Sequence, residues 1–255
     1  MDRLKKAIGK TKNYASKYGQ KLNDKQLFLR LISQKIYKFS EVEGQGVKNK
    51  KNGEWQKKVV LAKRLIKEHL SKIRGVKMVA ITGSVAAEAA RKNEDIDLLI
   101  IIKEDELWWW RLYLRFYVRW HKIPHRRFGE KERKNEFCFN LWLDETNLSI
   151  PVEKRGLKNA MDLVMMKVIW NEDESYQKFL RENEWVKKYL ATGYRERTKA
   201  ETRNERRDFR EKKSFSYWKI INRILFWGQY FYMWSKQRRK LKNIEKGRAF
   251  FHKDA

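Results

Sequence analysis

Two short apolar runs, residues 78–81 and 98–102, constrain this chain more than any other feature. The first ends in Thr82-Gly83-Ser84, an Ala-rich stretch follows, and Asp95-Ile96-Asp97 opens the second. Short runs rich in Val and Ile and bounded by turn or polar residues read as buried strands. Residues 76–103 therefore read as strand, tight turn, short helix, strand. Side chains alternate along a strand, so Asp95 and Asp97 share one face while Ile96 points away with Leu98 and Ile100.

That arrangement has chemical content. Two carboxylates side by side, with no base between them, repel each other. A divalent cation relieves the repulsion, and Mg²⁺ takes such oxygen ligands while keeping water and substrate phosphates in its shell. Gly83 lets the backbone approach a phosphate closely, and Ser84 offers a hydroxyl where the following helix exposes free N–H groups. The set fits nucleotide phosphates beside a metal-bearing strand, and the reaction it implies is attack of an acceptor on the α-phosphorus.

The surrounding chain is read by periodicity. Residues 1–22 are basic and weakly periodic, as in a frayed arm. Asn23-Asp24 would cap a helix through Leu27, Leu31, Ile36 and Phe39, and residues 43–53 form a loop. Residues 55–73 carry a helical stripe that stops at Gly75. The helix in LWWWRLYLRFYVRW repeats Arg111, Arg115 and Arg119 at four-residue spacing. Three readings stand for it: a core helix whose arginines face the cleft or solvent, an interfacial membrane helix, or a nucleic-acid face. Residues 137–143 form a third strand, and 147–152 an extended run that could pair with it. Helices are expected over 157–170 and 175–190, with a break at Thr192-Gly193. Residues 194–213 read as linker or exposed helix, and 215–234 as an aromatic helix docked on the core.

Composition bears on partners. Lys and Arg number 61 against 32 Asp and Glu, a formal net charge of +29. Such an excess favours a polyanion such as RNA, DNA, an anionic membrane surface or a phosphate-rich substrate. The single cysteine, Cys138, excludes an intramolecular disulfide and a cysteine zinc cluster, and reads as a buried, inert thiol. His69, His121, His125 and His252 show no metal spacing. The apolar part of 107–120 is shorter than the roughly 20 residues a bilayer requires. The N-terminus lacks an apolar signal core, so a cytoplasmic location is expected.

TGSVA followed by EDIDLLI resembles the nucleotidyltransferase superfamily of the polymerase-β-like fold. It is similar in particular to bacterial nucleotidyltransferase-domain proteins that share the VKMVAITGSVA…DIDLLII core, the Trp- and Arg-rich helix, a Cys-x-Asn strand ending in Leu-Asp-Glu, and a terminal aromatic helix before AFFH. The likeness runs from about Trp55 to the C-terminus. It implies an α+β fold, a small mixed sheet with flanking helices plus a helical C-terminal region. The expected divisions are an arm and helix over 1–53, the core over 54–155 and the helical region over 156–255. It implies Asp95, Asp97 and Asp144 as catalytic groups, Gly83, Ser84, Arg111 and Arg115 as nucleotide contacts, and Asp95, Asp97 and Asn140 as ligands of Mg²⁺. The superfamily carries a third carboxylate on a later strand, where this chain has Asn140. Asp144, on the same face of a regular strand, lies about 13 Å further on. Asp144 or Glu145 serves instead, or the acceptor needs no such base, or the protein binds nucleotide without turnover.

Two functional classes follow. One is a Mg²⁺-dependent enzyme moving a nucleoside monophosphate from an NTP to an acceptor, RNA being a candidate. The other is an inactive scaffold of the same fold that binds nucleic acid. Membrane association through residues 107–120 or 215–234 is a third, lesser reading.

Overall fold

The computed structural model describes residues 2–48, 53–127, 130, 133–201, 217–236 and 244–250, excluding the side chains of residues 140, 200, 201, 218 and 236. His252 and residues 202–213 of the expected linker lie outside the described residues.

The N-terminal segment is helical. It forms α1 (Asp2–Ser16), α2 (Asp24–Leu29) and α3 (Phe39–Val42). The frayed arm expected over residues 1–22 is thus corrected: Ala7, Ile8 and Ala15 of α1 pack with Leu22, Leu27 and Leu31 in a core of their own. The cap at Asn23 forms as a capping box with Gln26, but the helix stops at Leu29 instead of continuing to Phe39. Tertiary pairing ends it, since Ser33 bridges to Leu190 far along the chain. α4 (Gly53–Glu68) then leads into β1 (Val76–Ile81), α5 (Gly83–Ala86) and β2 (Ile96–Ile102). α6 (Leu107–Trp120) crosses over to β3 (Phe137–Asp144), which lies parallel to β2. α7 (Leu157–Met165), β4 (Lys167–Asn171), α8 (Ser175–Glu182), α9 (Lys187–Glu201), α10 (Tyr217–Lys236), β5 (Ile244–Glu245) and β6 (Arg248–Phe250) complete the described fold.

The sheet has six strands in the order β4-β1-β2-β3-β6-β5, and only the β2–β3 pair is parallel. Strands near the centre are apolar on both sides because both faces are covered. Ile96, Leu98, Ile100 and Ile102 of β2 join one core with α4, α6 and α10, while Leu99 and Ile101 join the other with α7, α8 and α9. The small mixed sheet with flanking helices is therefore present as the sequence implied.

Several expected elements differ. The helix over 157–170 ends at Met165, and Lys167–Asn171 forms β4, antiparallel to β1. The extended run at 147–152 forms no strand and leads into a 3-10 turn at Val152–Lys154. α9 runs through Thr192-Gly193, where the absence of a side chain is needed for packing: a Cβ at Gly193 would lie 2.0 Å from the Leu29 carbonyl oxygen. β4, β5 and β6 belong to the same sheet as the core strands, so the sheet draws on both sides of the division expected at residue 155. Among the described residues, no helix is long and apolar enough to cross a membrane.

Candidate functional site

Asp95 and Asp97 stand where β2 begins, and the local chain holds them there. Lys58 of α4 is almost fully buried, and its ammonium donates to the Glu94 carbonyl and to Asn135 Oδ1. This pins the loop that delivers Asp95. The Thr82 N–H donates to the Asp97 carbonyl at 2.9 Å, extending the β1–β2 ladder to the turn. Gly83 follows with φ +62°, a left-handed conformation that glycine adopts without steric cost. A Cβ there would lie 2.6 Å from Asp97 Oδ2, so only glycine brings the turn this close to the carboxylate.

Thr82, Gly83, Ser84, Asp95 and Asp97 all line one cavity of about 400 Å³. The β2 alternation explains the placement. Asp97 shares its face with Leu99 and Ile101, which pack beneath α7 and α8. Arg30, Lys154 and Lys158 line the same cavity, as do the acidic Glu94 and Asp162. Arg30 is buried, donates to the Ala87 carbonyl at the end of α5 and to Gln20 Oε1, and leaves its Nε without a partner. Burial pulls its guanidinium down to about 10, opposed by Glu88 and Asp162. The wall opposite the sheet comes from Thr11, Tyr14 and Tyr18 in and just beyond α1, from the very segment read as a frayed arm.

The residue aligned with Asp97 across the parallel pair is Cys138. Ligand atoms of Asp95, Asp97 and Cys138 all lie within 4.8 Å of one another. Burial, with Asp97 nearby, pushes the Cys138 thiol up, so it remains neutral. A neutral thiol is a poor ligand for a hard cation, whereas two carboxylate groups suit Mg²⁺. The donor set thus fits a hard divalent ion held by Asp95 and Asp97 and completed by substrate oxygens. The Arg126 guanidinium donates to Asp95 Oδ2 at 2.7 Å, and both side chains are largely buried. Arg126 is in position because its N–H donates to the Phe137 carbonyl and His125 bridges to Phe137, which fixes residues 125–126 alongside β3. Nothing in the basic run HKIPHRR singled it out.

Three expected site residues stand elsewhere. Asp144 pairs with Ile102, five residues beyond Asp97 along β2 and so roughly 16 Å away. The register slips between Asp97/Cys138 and Leu99/Leu141, so β3 carries one extra residue. The bulge reverses the alternation, and Asp144 loses the face it would share with Asp97 on a regular strand. Its carboxylate instead accepts from the Asp105 N–H, the Thr146 N–H and the Thr146 hydroxyl, closing the turns that follow β2 and β3. Burial pushes Asp144 up to about 7, against the Thr146 hydrogen bonds, which pull it down. The structure thus places Asp144 away from the acid pair, where a catalytic role with Asp95 and Asp97 was expected. Arg111 and Arg115 are on the far side of the sheet in a second cavity, not at the acid pair. Arg111 is buried against α10, donating to Gln229 and to Met233 Sδ. The physical reason is the helical period, which turns this arginine row toward α10 while Leu107, Trp108 and Leu114 cover the sheet. Asn140 lies in β3 near the bulge, and its side chain lies outside the described ones.

His69 and His121 do approach each other, with ring centroids 5.4 Å apart and Tyr117 between them in the same aromatic cluster. The cluster belongs to the α4–α6 packing and not to the acid pair.

The model of the nucleotidyltransferase domain family matches residues 63–226, more than half of the chain. No curated protein matches it.

Proposed function

Because this chain belongs to the nucleotidyltransferase domain family, we propose that it transfers a nucleoside monophosphate from an NTP to an acceptor, with Mg²⁺ as its cation. The observation that carries this reading is the juxtaposition of Gly83 and the Asp97 carboxylate in one cavity with Ser84 and Asp95. Asp95 and Asp97 would hold the ion. When bound, it would offset the negative charge that develops on the reacting phosphate. The Gly83 backbone and the Ser84 hydroxyl would hold the triphosphate, with Lys154 and Lys158 of the same cavity supplying positive charge. An acceptor hydroxyl would attack the α-phosphorus and release its proton to solvent, the bond from the α-phosphorus to the bridging oxygen would break, and pyrophosphate would leave. The high net charge of +29 favours RNA as the acceptor.

Incubation with labelled NTPs, Mg²⁺ and pools of RNA, protein or small molecules tests the proposal. The wild type should label one pool. Asp95→Ala and Asp97→Ala should each lower labelling by more than about 100-fold, since ligand loss costs at least as much as loss of a supporting contact. Equal labelling by wild type and both variants would end the catalytic reading.

One observation favours the inactive-scaffold alternative. Arg126 already neutralises Asp95, and no third carboxylate joins the pair among the described residues. That reading expects RNA affinity that falls steeply with salt and is indifferent to Asp95→Ala and Asp97→Ala. Salt-insensitive binding would exclude it.

A further inference from the structure

The second cavity has the chemistry of a ligand site. It encloses about 710 Å³ between α6, α10 and the segment that carries Arg126, within the range of nucleotide-sized pockets. Arg111, Arg115, Arg119, Arg126 and Arg127 line it, and among the described residues its lining includes no Asp or Glu. Clustering guanidinium groups is costly unless an anion joins them. At Arg111 burial is the main cause that pulls the guanidinium down to about 9, and the neighbouring Arg115 adds to it. Beside the polar His125 and Gln229, most of the remaining lining is apolar or aromatic, including Phe116, Phe139, Trp142 and Tyr232. Arginine forks match phosphate oxygens, and aromatic faces accept a base of any identity by stacking.

The cavity reaches two residues that touch the acid pair. Arg126 and Cys138 both line it. Arg126 is at the same time bonded to Asp95, and Cys138 lies within 4.8 Å of the carboxylate oxygens. Arg126 and Cys138 therefore link two cavities, one bearing Gly83, Ser84 and the acid pair and the other bearing arginines and aromatics. A transfer reaction needs two substrates to meet at one point. From this we propose that the arginine-lined cavity binds a nucleoside phosphate unit, the terminal unit of the acceptor, opposite the NTP. The role as acceptor site rests on the transferase reading above; the binding itself does not.

The test uses a 5′-labelled oligoribonucleotide and the full chain in EDTA, read by fluorescence anisotropy. Arg115 and Arg119 are exposed, so Arg115→Glu/Arg119→Glu should leave the fold intact, which circular dichroism checks. This variant should weaken binding about ten-fold or more, through lost charge-assisted bonds to phosphate. Lys63→Glu/Lys67→Glu, an equal charge reversal on the exposed side of α4, should change it less than about two-fold, as diffuse surface charge contributes little at physiological salt. Arg115→Lys should retain part of the affinity. Displacement of the probe by AMP identifies a free nucleoside phosphate as sufficient; displacement only by an unlabelled oligonucleotide identifies a chain end. Equal weakening by both charge reversals, or none by either, overturns the proposal. In a transfer assay the Arg115/Arg119 variant should raise KM for RNA and leave KM for NTP unchanged. A raised KM for NTP alone would assign the cavity to the wrong substrate and overturn the acceptor role. Intact oligonucleotide binding with no transfer by the wild type would instead overturn the transferase reading and leave the cavity standing.

Discussion

Gly83 is the residue on which the candidate site turns. It combines a positive φ with a Cβ position that Asp97 Oδ2 already fills. Gly83→Ala therefore meets strain and a clash together. It should lower stability by about 1–2 kcal/mol, read as a lower urea midpoint, and reduce transfer more than a surface variant of equal stability. Asp144 offers a different measurement. Its pKa is about 7 in the folded protein, above the ordinary carboxylate range, so the folded state holds a proton that the unfolded chain has released. Stability contributed by that proton is present at acid pH and is lost as pH rises toward 7. Asp144→Asn should flatten this part of a stability–pH profile measured by chemical denaturation between about pH 4 and 7. A profile as steep as that of the wild type would count against the assignment. Gly83, Ser84, Asp95 and Asp97 were legible in the sequence because turn chemistry and strand alternation are local. Arg126 and Cys138 were not, because their partners come from strand pairing.

The α6–α10 pair shows how polar residues anchor an aromatic helix. Asn222 Oδ1 accepts from the Trp108 N–H, an otherwise orphaned donor in the first turn of α6, and Gln229 bonds both to the Trp108 carbonyl and to Arg111. Asn222 and Gln229 thus dock α10 on the core. Asn222→Ala would leave a buried N–H unpaired and should destabilise by about 1–3 kcal/mol, seen as a lower Tm. Asn222→Asp, which keeps an acceptor, should recover part of that loss. β4 was missed for an instructive reason. Val164, Met165, Val168 and Ile169 fit a helical stripe, and only the edge of β1 recruits Lys167–Asn171 into the sheet. The β-branched and aromatic content of KVIWN was the available strand signal, but a short apolar run cannot be assigned by period alone.

Across the whole chain, the N-terminal helices complete the cavity although they precede the family match at residue 63. Thr11 accepts the Ile32 N–H at 2.9 Å, tying α1 to the segment after α2. Deleting residues 2–19 should therefore lower Tm and raise KM for NTP while leaving kcat nearly unchanged, the signature of lost uniform binding. An unchanged KM would show that the α1 wall touches no substrate.

The sequence alone determined the strand-turn-strand unit, its acid pair, the covering helix after β2 and the basic character of the surface. Each is local, written in alternation, turn residues or charge count. Tertiary structure decided what that unit faces. With Cys138 beside Asp97, a single bulged residue in β3 turned Asp144 to the other face, and the packing of α6 on α10 withdrew Arg111 and Arg115 to a second cavity. Register and helix rotation depend on the sum of many distant contacts, and no spacing within one segment encodes that sum.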